Sequence, residues 1–138
     1  MRILAVDYGH KRIGLALSDE TGTLARPLHI VPHVSRVVDA AQVAEQAVSH
    51  DAGLIVVGVS YNEDGQLNTV GHSAARFAEA LRQQTALPVI LWDESLTTQD
   101  ARAVRLAMGS SRKKRAGHLD DVAAALLLQN YLDHQPRN

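Results

Sequence analysis

Apolar and polar positions along the chain change their pattern close to residue 35. Before that point short apolar runs are separated by tight turns. "RILAVDY" (Arg2 to Tyr8) predicts a strand, a Gly-containing turn leads to "RIGLALSD" (Arg12 to Asp19), and "ETG" turns the chain into "TLARPLHIV" (Thr23 to Val31). Pro27 lacks a backbone N–H, so this third strand belongs at a sheet edge or at a bulge. Two short turns in succession predict an antiparallel meander.

After residue 35 helical spacing alternates with short buried runs. "SRVVDAAQVAEQAVSH" (Ser35 to His50) carries Val37, Val38, Ala41, Ala44 and Val48 at helical spacing, and Gly53 follows its end. "GLIVVG" (Gly53 to Gly58) and "LPVILW" (Leu87 to Trp92) have the length and composition of buried strands, with a helix over His72 to Gln84 between them. Thr97 to Gly109 reads as a helix opened by a Thr97/Asp100 capping box, and Asp120 to Asp133 as a strongly apolar helix. The order predicts an α/β fold: a five-stranded mixed sheet, antiparallel first and parallel afterwards, with helices on both faces. Ligand sites in such sheets gather outside the strand ends, where the connection order changes.

At 138 residues the chain fits one domain spanning 1–138 with an ordinary core. It is 46% apolar and 21% charged, and no apolar run approaches the ~18 residues of a membrane span. The opening "MRILAVDYG" has no cleavable signal pattern, because Asp7 and Gly9 follow the apolar run directly. With no cysteine there is neither a disulfide framework nor a thiolate metal site, which fits a cytoplasmic protein. The formal net charge is −1, so bulk electrostatics announce no polyanion partner. Local clusters carry more weight: Arg112, Lys113, Lys114 and Arg115 stand together, and Lys11 and Arg12 follow the first strand. Aromatics are only 4% of the chain, which argues against a base-stacking sheet.

The acidic residues carry the chemistry. Asp7 ends an apolar strand, Asp93 and Glu94 follow "VILW", and Asp120 and Asp121 open the last helix. Each has an ordinary alternative: a turn former, a solvated loop, a helix cap. Together, at the ends of elements that a parallel sheet brings near one another, they read as a carboxylate cluster. Ionised carboxylates repel, and a divalent cation is the simplest thing that holds them together; Mg²⁺ suits few carboxylates plus water and phosphate oxygens. Gln129, Asn130 and Asp133 mark a polar face on the last helix, and Asp120 and Asp121 flank its apolar face almost symmetrically, so periodicity does not choose between them. His29 and His33 are four apart, but Pro32 lies between them and the stretch reads as a strand end rather than a metal site. Ser60 lacks the glycine spacing of a nucleophile elbow.

"LAVDYGHKRIGLALSD", "LIVVGVSYNEDG", "DESLTTQDA" and "HLDDVAAALLLQNYL" together resemble the YqgF/RuvX family of bacterial nucleases, within the RNase H-like, RuvC-type superfamily. The likeness runs from the first strand to the last helix. It implies an RNase H-like fold and matches Asp7, Glu94 and Asp120 to the family's acidic positions, with Asp121 an auxiliary ligand. The implied protein is a metal-dependent phosphodiesterase working with Mg²⁺ or Mn²⁺. Asp7 would bridge two ions ~4 Å apart, with Glu94 and Asp120 each completing one. Lys11, Arg12 and Arg112 to Arg115 would hold flanking phosphates, which gives affinity without sequence reading. Family members are implicated in maturing the 5′ end of the 16S ribosomal RNA precursor, so RNA ranks before DNA and pre-ribosomal particles enter as partners; others resemble Holliday junction resolvases. A monomer and a homodimer both stay open. Ser95 stands where the family commonly has Arg, and Ser60 where Pro usually follows the strand. Two rivals remain: an actin-like ATPase phosphate loop, which needs a second domain, and a non-catalytic ribosome-assembly module.

Overall fold

The structure is a computed structural model in which residues 1–94 and 119–136 are described. Five strands form one sheet: β1 (Arg2–Tyr8), β2 (Arg12–Ser18), β3 (Ala25–Pro32), β4 (Ala52–Val59) and β5 (Val89–Asp93). Their spatial order is β3-β2-β1-β4-β5, antiparallel across β3, β2 and β1 and parallel across β1, β4 and β5. The helices are α1 (Arg36–Ser49), α2 (Thr69–Arg82) and α3 (Leu119–Asp133). The mixed five-stranded sheet read from the sequence is therefore present. The helix expected over Thr97 to Gly109 and the basic run Arg112 to Arg115 lie outside the described residues.

β1 is apolar from Ile3 to Val6 because both of its faces are covered there. Leu4, Val6 and Tyr8 point into the core under α1 and α2, together with Val43, Ala47, Val57 and Phe77. Ile3 and Ala5 point the other way, against Leu127, Leu128 and Tyr131 of α3. Small residues line this second layer, since Ala5 pairs with Ala16 in the sheet and both pack with Ala124. Removing side-chain bulk there lets the last helix settle close to the strands.

Pro27 sits where its chemistry requires. β3 is an edge strand, and its register with β2 slips between the Leu15–His29 and Ala16–Pro27 pairs, leaving Leu28 as the extra residue of a bulge. The β2–β3 turn is built on Asp19, whose carboxylate accepts from the Thr23 and Leu24 amides and the Thr21 hydroxyl and is thereby held at about 2. In the β1–β2 turn Gly9 donates to the Arg12 carbonyl, and a Cβ at Gly9 would stand 2.6 Å from that oxygen. Only glycine closes this turn.

The buried face of α1 differs from the one expected. Val37 and Val48 are exposed, while Asp39, Ala40, Val43, Ala44 and Ala47 face inward. The reason is Asp39. Its carboxylate is fully buried and accepts from the Tyr8 hydroxyl at 2.9 Å and the Val34 amide at 2.9 Å, and it pairs with His33. Tyr8 in turn stacks on Phe77 at 4.2 Å. A hydrogen-bonded acid thus takes an inward position that an apolar-only pattern assigns to valine, and it rotates the helix accordingly. Burial and Asp39 together push the Tyr8 phenol up to about 12.

Asp39→Ala leaves the Tyr8 hydroxyl and the Val34 amide without their shared acceptor. It should destabilise the protein by about 2–4 kcal/mol, read as a lower urea midpoint at an unchanged slope. A change under about 0.5 kcal/mol would mean that the network contributes no net stability.

Candidate active site

The C-terminal ends of β1, β4 and β5 share one edge of the sheet because these strands are parallel. Asp7 is one position beyond the Val6–Val57 pair, which sets it beside Gly58 of β4; strand alternation directs it to the face that Ile3 and Ala5 share with α3. Gly58 is paired on its other side with Trp92, and Glu94 lies two residues past Trp92, on that same face. The Glu94 backbone N–H bonds the Val59 carbonyl at 2.8 Å, so the residue after β5 is fixed to the end of β4.

Gly58 makes the arrangement possible. A Cβ built there would stand 2.9 Å from Glu94 Oε2 and 2.9 Å from Leu127 Cδ2. The missing side chain leaves the space into which the Glu94 carboxylate leans, between Asp7 and the last helix. Glu94 titrates at about 7, far above an ordinary carboxylate, first because it is buried and then because Asp7 and Asp93 are negatively charged neighbours. A half-buried carboxylate facing a second carboxylate is an oxygen-rich site with an excess of negative charge, suited to a hard divalent cation. Among the described residues no three acidic or histidine side chains group as a metal site.

Of the sequence-predicted residues, the structure brings Asp7 and Glu94 together. It also separates the Asp93–Glu94 pair, since Asp93 shares the strand parity of Val89, which faces the α1 and α2 layer. α3 runs from this edge toward the opposite end of the sheet, for Leu127 meets Gly58 while Gln129 accepts from Ala25 N–H and donates to the Thr23 carbonyl. Asp120 and Asp121 are in its first turn, and their side chains lie outside the described residues. Lys11 and Arg12 are exposed on the turn after Asp7. The polar face expected on the last helix is used for tertiary hydrogen bonds. Asn130 accepts the Trp92 indole N–H at 2.8 Å, and Gln129 satisfies the β2–β3 connection.

Sequence reasoning missed Gly58 as a site residue. Its signal was a glycine inside an otherwise β-branched strand, which marks a close approach by another group. Ser60 also has a use: its hydroxyl donates to Asn68 Oδ1, the acceptor that caps α2 at the Gly71 amide.

The RuvX family, described as Holliday junction resolvase, matches residues 1–134. A protein of Thermoanaerobacter pseudethanolicus that carries the provisional name pre-16S rRNA nuclease is 40% identical over 136 residues, covering 98% of each chain. One of Syntrophus aciditrophicus with the same name is 41% identical over 133 residues, covering 96% of this chain and 89% of its own. Among solved structures, Thermus thermophilus RuvC in complex with a Holliday junction substrate superposes with a TM-score of 0.60 at 20% identity, over 96% of this chain and 93% of that one. The fowlpox virus resolvase bound to Holliday junction DNA gives 0.55 at 15% identity, over 96% and 97%. The RuvC-like, RNase H-like fold is thus shared.

Two outcomes test the site. Glu94 has an unfolded value near 4.5 and a folded value of about 7, so the native state holds the extra proton between them. In chelator, stability should therefore fall by on the order of 2 kcal/mol as pH rises from about 4.5 through about 7, and Glu94→Gln should flatten that fall. Equal slopes in urea titrations of both proteins would refute the assignment. Gly58→Ala forces Glu94 and Leu127 apart, which should cost about 1–3 kcal/mol and return the Glu94 titration toward the ordinary range, read by carboxyl NMR.

Proposed function

The chain belongs to the RuvX family, and from that premise we propose that it is a metal-dependent nuclease that hydrolyses phosphodiester bonds in 5′-end processing of pre-16S rRNA. The observation that carries this reading is the approach of Glu94 to Asp7 across the space left by Gly58. Such a pair repels itself when ionised, so it is matched to a cation and not to an uncharged ligand. The donors are carboxylate oxygens alone, which suits Mg²⁺ or Mn²⁺ over softer metals. Asp7, Glu94 and Asp120 are the ligands in this reading, with Asp121 auxiliary, and one folded unit spans residues 1–138.

A divalent cation held by Asp7, Glu94 and Asp120 would supply activation of water and charge compensation at the scissile phosphate. The chain's own residues do the rest. Asp7 and Glu94 would hold the cation at the strand edge, where the Glu94 backbone N–H is bonded to the Val59 carbonyl of β4. Lys11 and Arg12, on the turn that follows, hold the phosphates flanking the reacting one, and Arg112, Lys113, Lys114 and Arg115 extend that grip. These contacts are to the backbone of the nucleic acid and carry no base preference. Among the described residues no helix is long and apolar enough to cross a membrane.

RNA is the proposed substrate because the relatives of 40% and 41% identity are named for an rRNA precursor. The family description favours a second reading, a Holliday junction resolvase-like DNA endonuclease. Cleavage of single-stranded RNA, duplex and four-way junction, side by side with Mg²⁺, Mn²⁺ or EDTA, separates the two. RNA should be cut in Mn²⁺ or Mg²⁺ and spared in EDTA. Asp7→Asn keeps the size of the side chain and loses its charge, so it should lower turnover by about two orders of magnitude or more while the fold survives by circular dichroism. A folded variant that cuts at the wild-type rate sinks the proposal, as does cleavage that persists in EDTA.

A further inference from the structure

On the opposite face of the sheet from Glu94, but at the same edge, lies a cavity of about 230 Å³ between the β1–β2 turn, the start of α1 and α2. Its lining includes Tyr8, His10, His33, Ser35, Arg36 and Ser73. Three basic side chains, His10 from the β1–β2 turn and His33 and Arg36 from the passage between β3 and α1, converge there with the hydroxyls of Tyr8, Ser35 and Ser73. No carboxylate lines it, and the nearby acid is already committed: Asp39 is fully buried, with Oδ1 accepting from Val34 N–H and Oδ2 engaged by Tyr8 and His33. Because the His33 Nδ1 is turned to Asp39, Nε2 is the ring atom left for a ligand. Arg36 forms no ion pair among the described residues, and its charge reaches the Tyr8 hydroxyl, where it opposes the upward push from burial and Asp39. The attraction does not depend on the end of α1, whose Val38 amide is already capped by Ser35.

We propose that this cavity binds a phosphate of the nucleic-acid strand at a nucleotide beyond the one being cleaved. The inference rests on the nuclease reading and adds a second anchor to it. Tyr8, at the cavity wall, follows Asp7 directly in β1, so the two places are opposite faces of one strand end. Between them runs the turn that carries exposed Lys11 and Arg12. A chain of phosphates crossing the sheet edge meets carboxylates on one side, Lys11 and Arg12 at the rim, and His10 and Arg36 beyond it. Arg36 supplies the forked donors that suit phosphate oxygens, and the hydroxyls of Ser35 and Ser73 add neutral donors. A subsite of this kind selects for strand length and path, not for base identity.

Binding in EDTA tests the cavity without requiring cleavage, so its failure is separate from failure of the nuclease reading. Arg36→Ala and His10→Ala, both at exposed positions, are compared with wild type on single-stranded RNA of about 4 and about 16 nucleotides. The proposal expects a several-fold weaker Kd for the longer strand with Arg36→Ala, a salt slope lower by about one unit, and a smaller loss on the shorter strand. Arg36→Lys should recover part of the affinity. Equal losses on both lengths would overturn the subsite, as would an unchanged Kd and slope. Inorganic phosphate is titrated separately and followed by the histidine ring resonances of His10 and His33. Should phosphate move those resonances while RNA affinity is indifferent to Arg36, the cavity takes free phosphate and the strand-anchoring role is wrong.

Discussion

Two like charges held close in a partly dry place are the constraint from which the rest of the site follows. Glu94 leans toward Asp7 over a strand position that has no side chain, and neither burial nor the neighbouring charge favours the ionised form. An arrangement that opposes its own ionisation persists only if the fold over-determines it. Here the over-determination is visible. The parallel pairing of β1, β4 and β5 aligns the strand ends, the Glu94 amide is bonded to Val59, and Leu127 closes the space from above. Part of the stability that the core supplies offsets the cost of holding these carboxylates together.

The two faces of the sheet divide the labour. On the α3 face small residues, Ala5, Ala16 and Ala124, draw the helix down so that its start lies at the acidic edge. On the α1 and α2 face a polar network performs the corresponding task, with Asp39 gathering Tyr8, His33 and Val34 around one buried carboxylate. Tyr8 belongs to that network and Asp7 precedes it, so consecutive residues of one strand end serve the two faces. The basic groups on the turn after β1 stand exposed at the rim between the faces, on the path of the proposed nucleic-acid strand.

Departures from the expected pattern have local causes. The exposed valines of α1 follow from the inward claim of Asp39, which no count of apolar residues includes. Gln129 and Asn130, which mark the polar face of the last helix, complete hydrogen bonds of β3 and Trp92. Ser60, where the family usually has proline, strengthens the cap of α2 through Asn68. In all three cases a polar side chain is spent on a partner distant in sequence or on a helix end, and a one-dimensional pattern does not register that use.

What the sequence determined by itself was whatever depends on local chemistry and period. The five strands and their order, the bulge at Pro27, the turn at Gly9 and the apolar character of β1 were all legible, because each follows from backbone geometry or from alternation along a few residues. Asp7 and Glu94 were legible as candidates because acids at the ends of apolar strands are costly and need a reason. Tertiary structure alone decided which acids meet. Strand parity turned Glu94 toward Asp7 and Asp93 away, and pairing across β4 put Gly58 between them. The same holds for Asp39 and its partners His33 and Tyr8, which are separated along the chain and joined by the packing of α1 on the sheet. Contacts of this kind are set by the register of non-adjacent strands and by the rotation of a helix about its axis, and both are fixed only when the whole core closes.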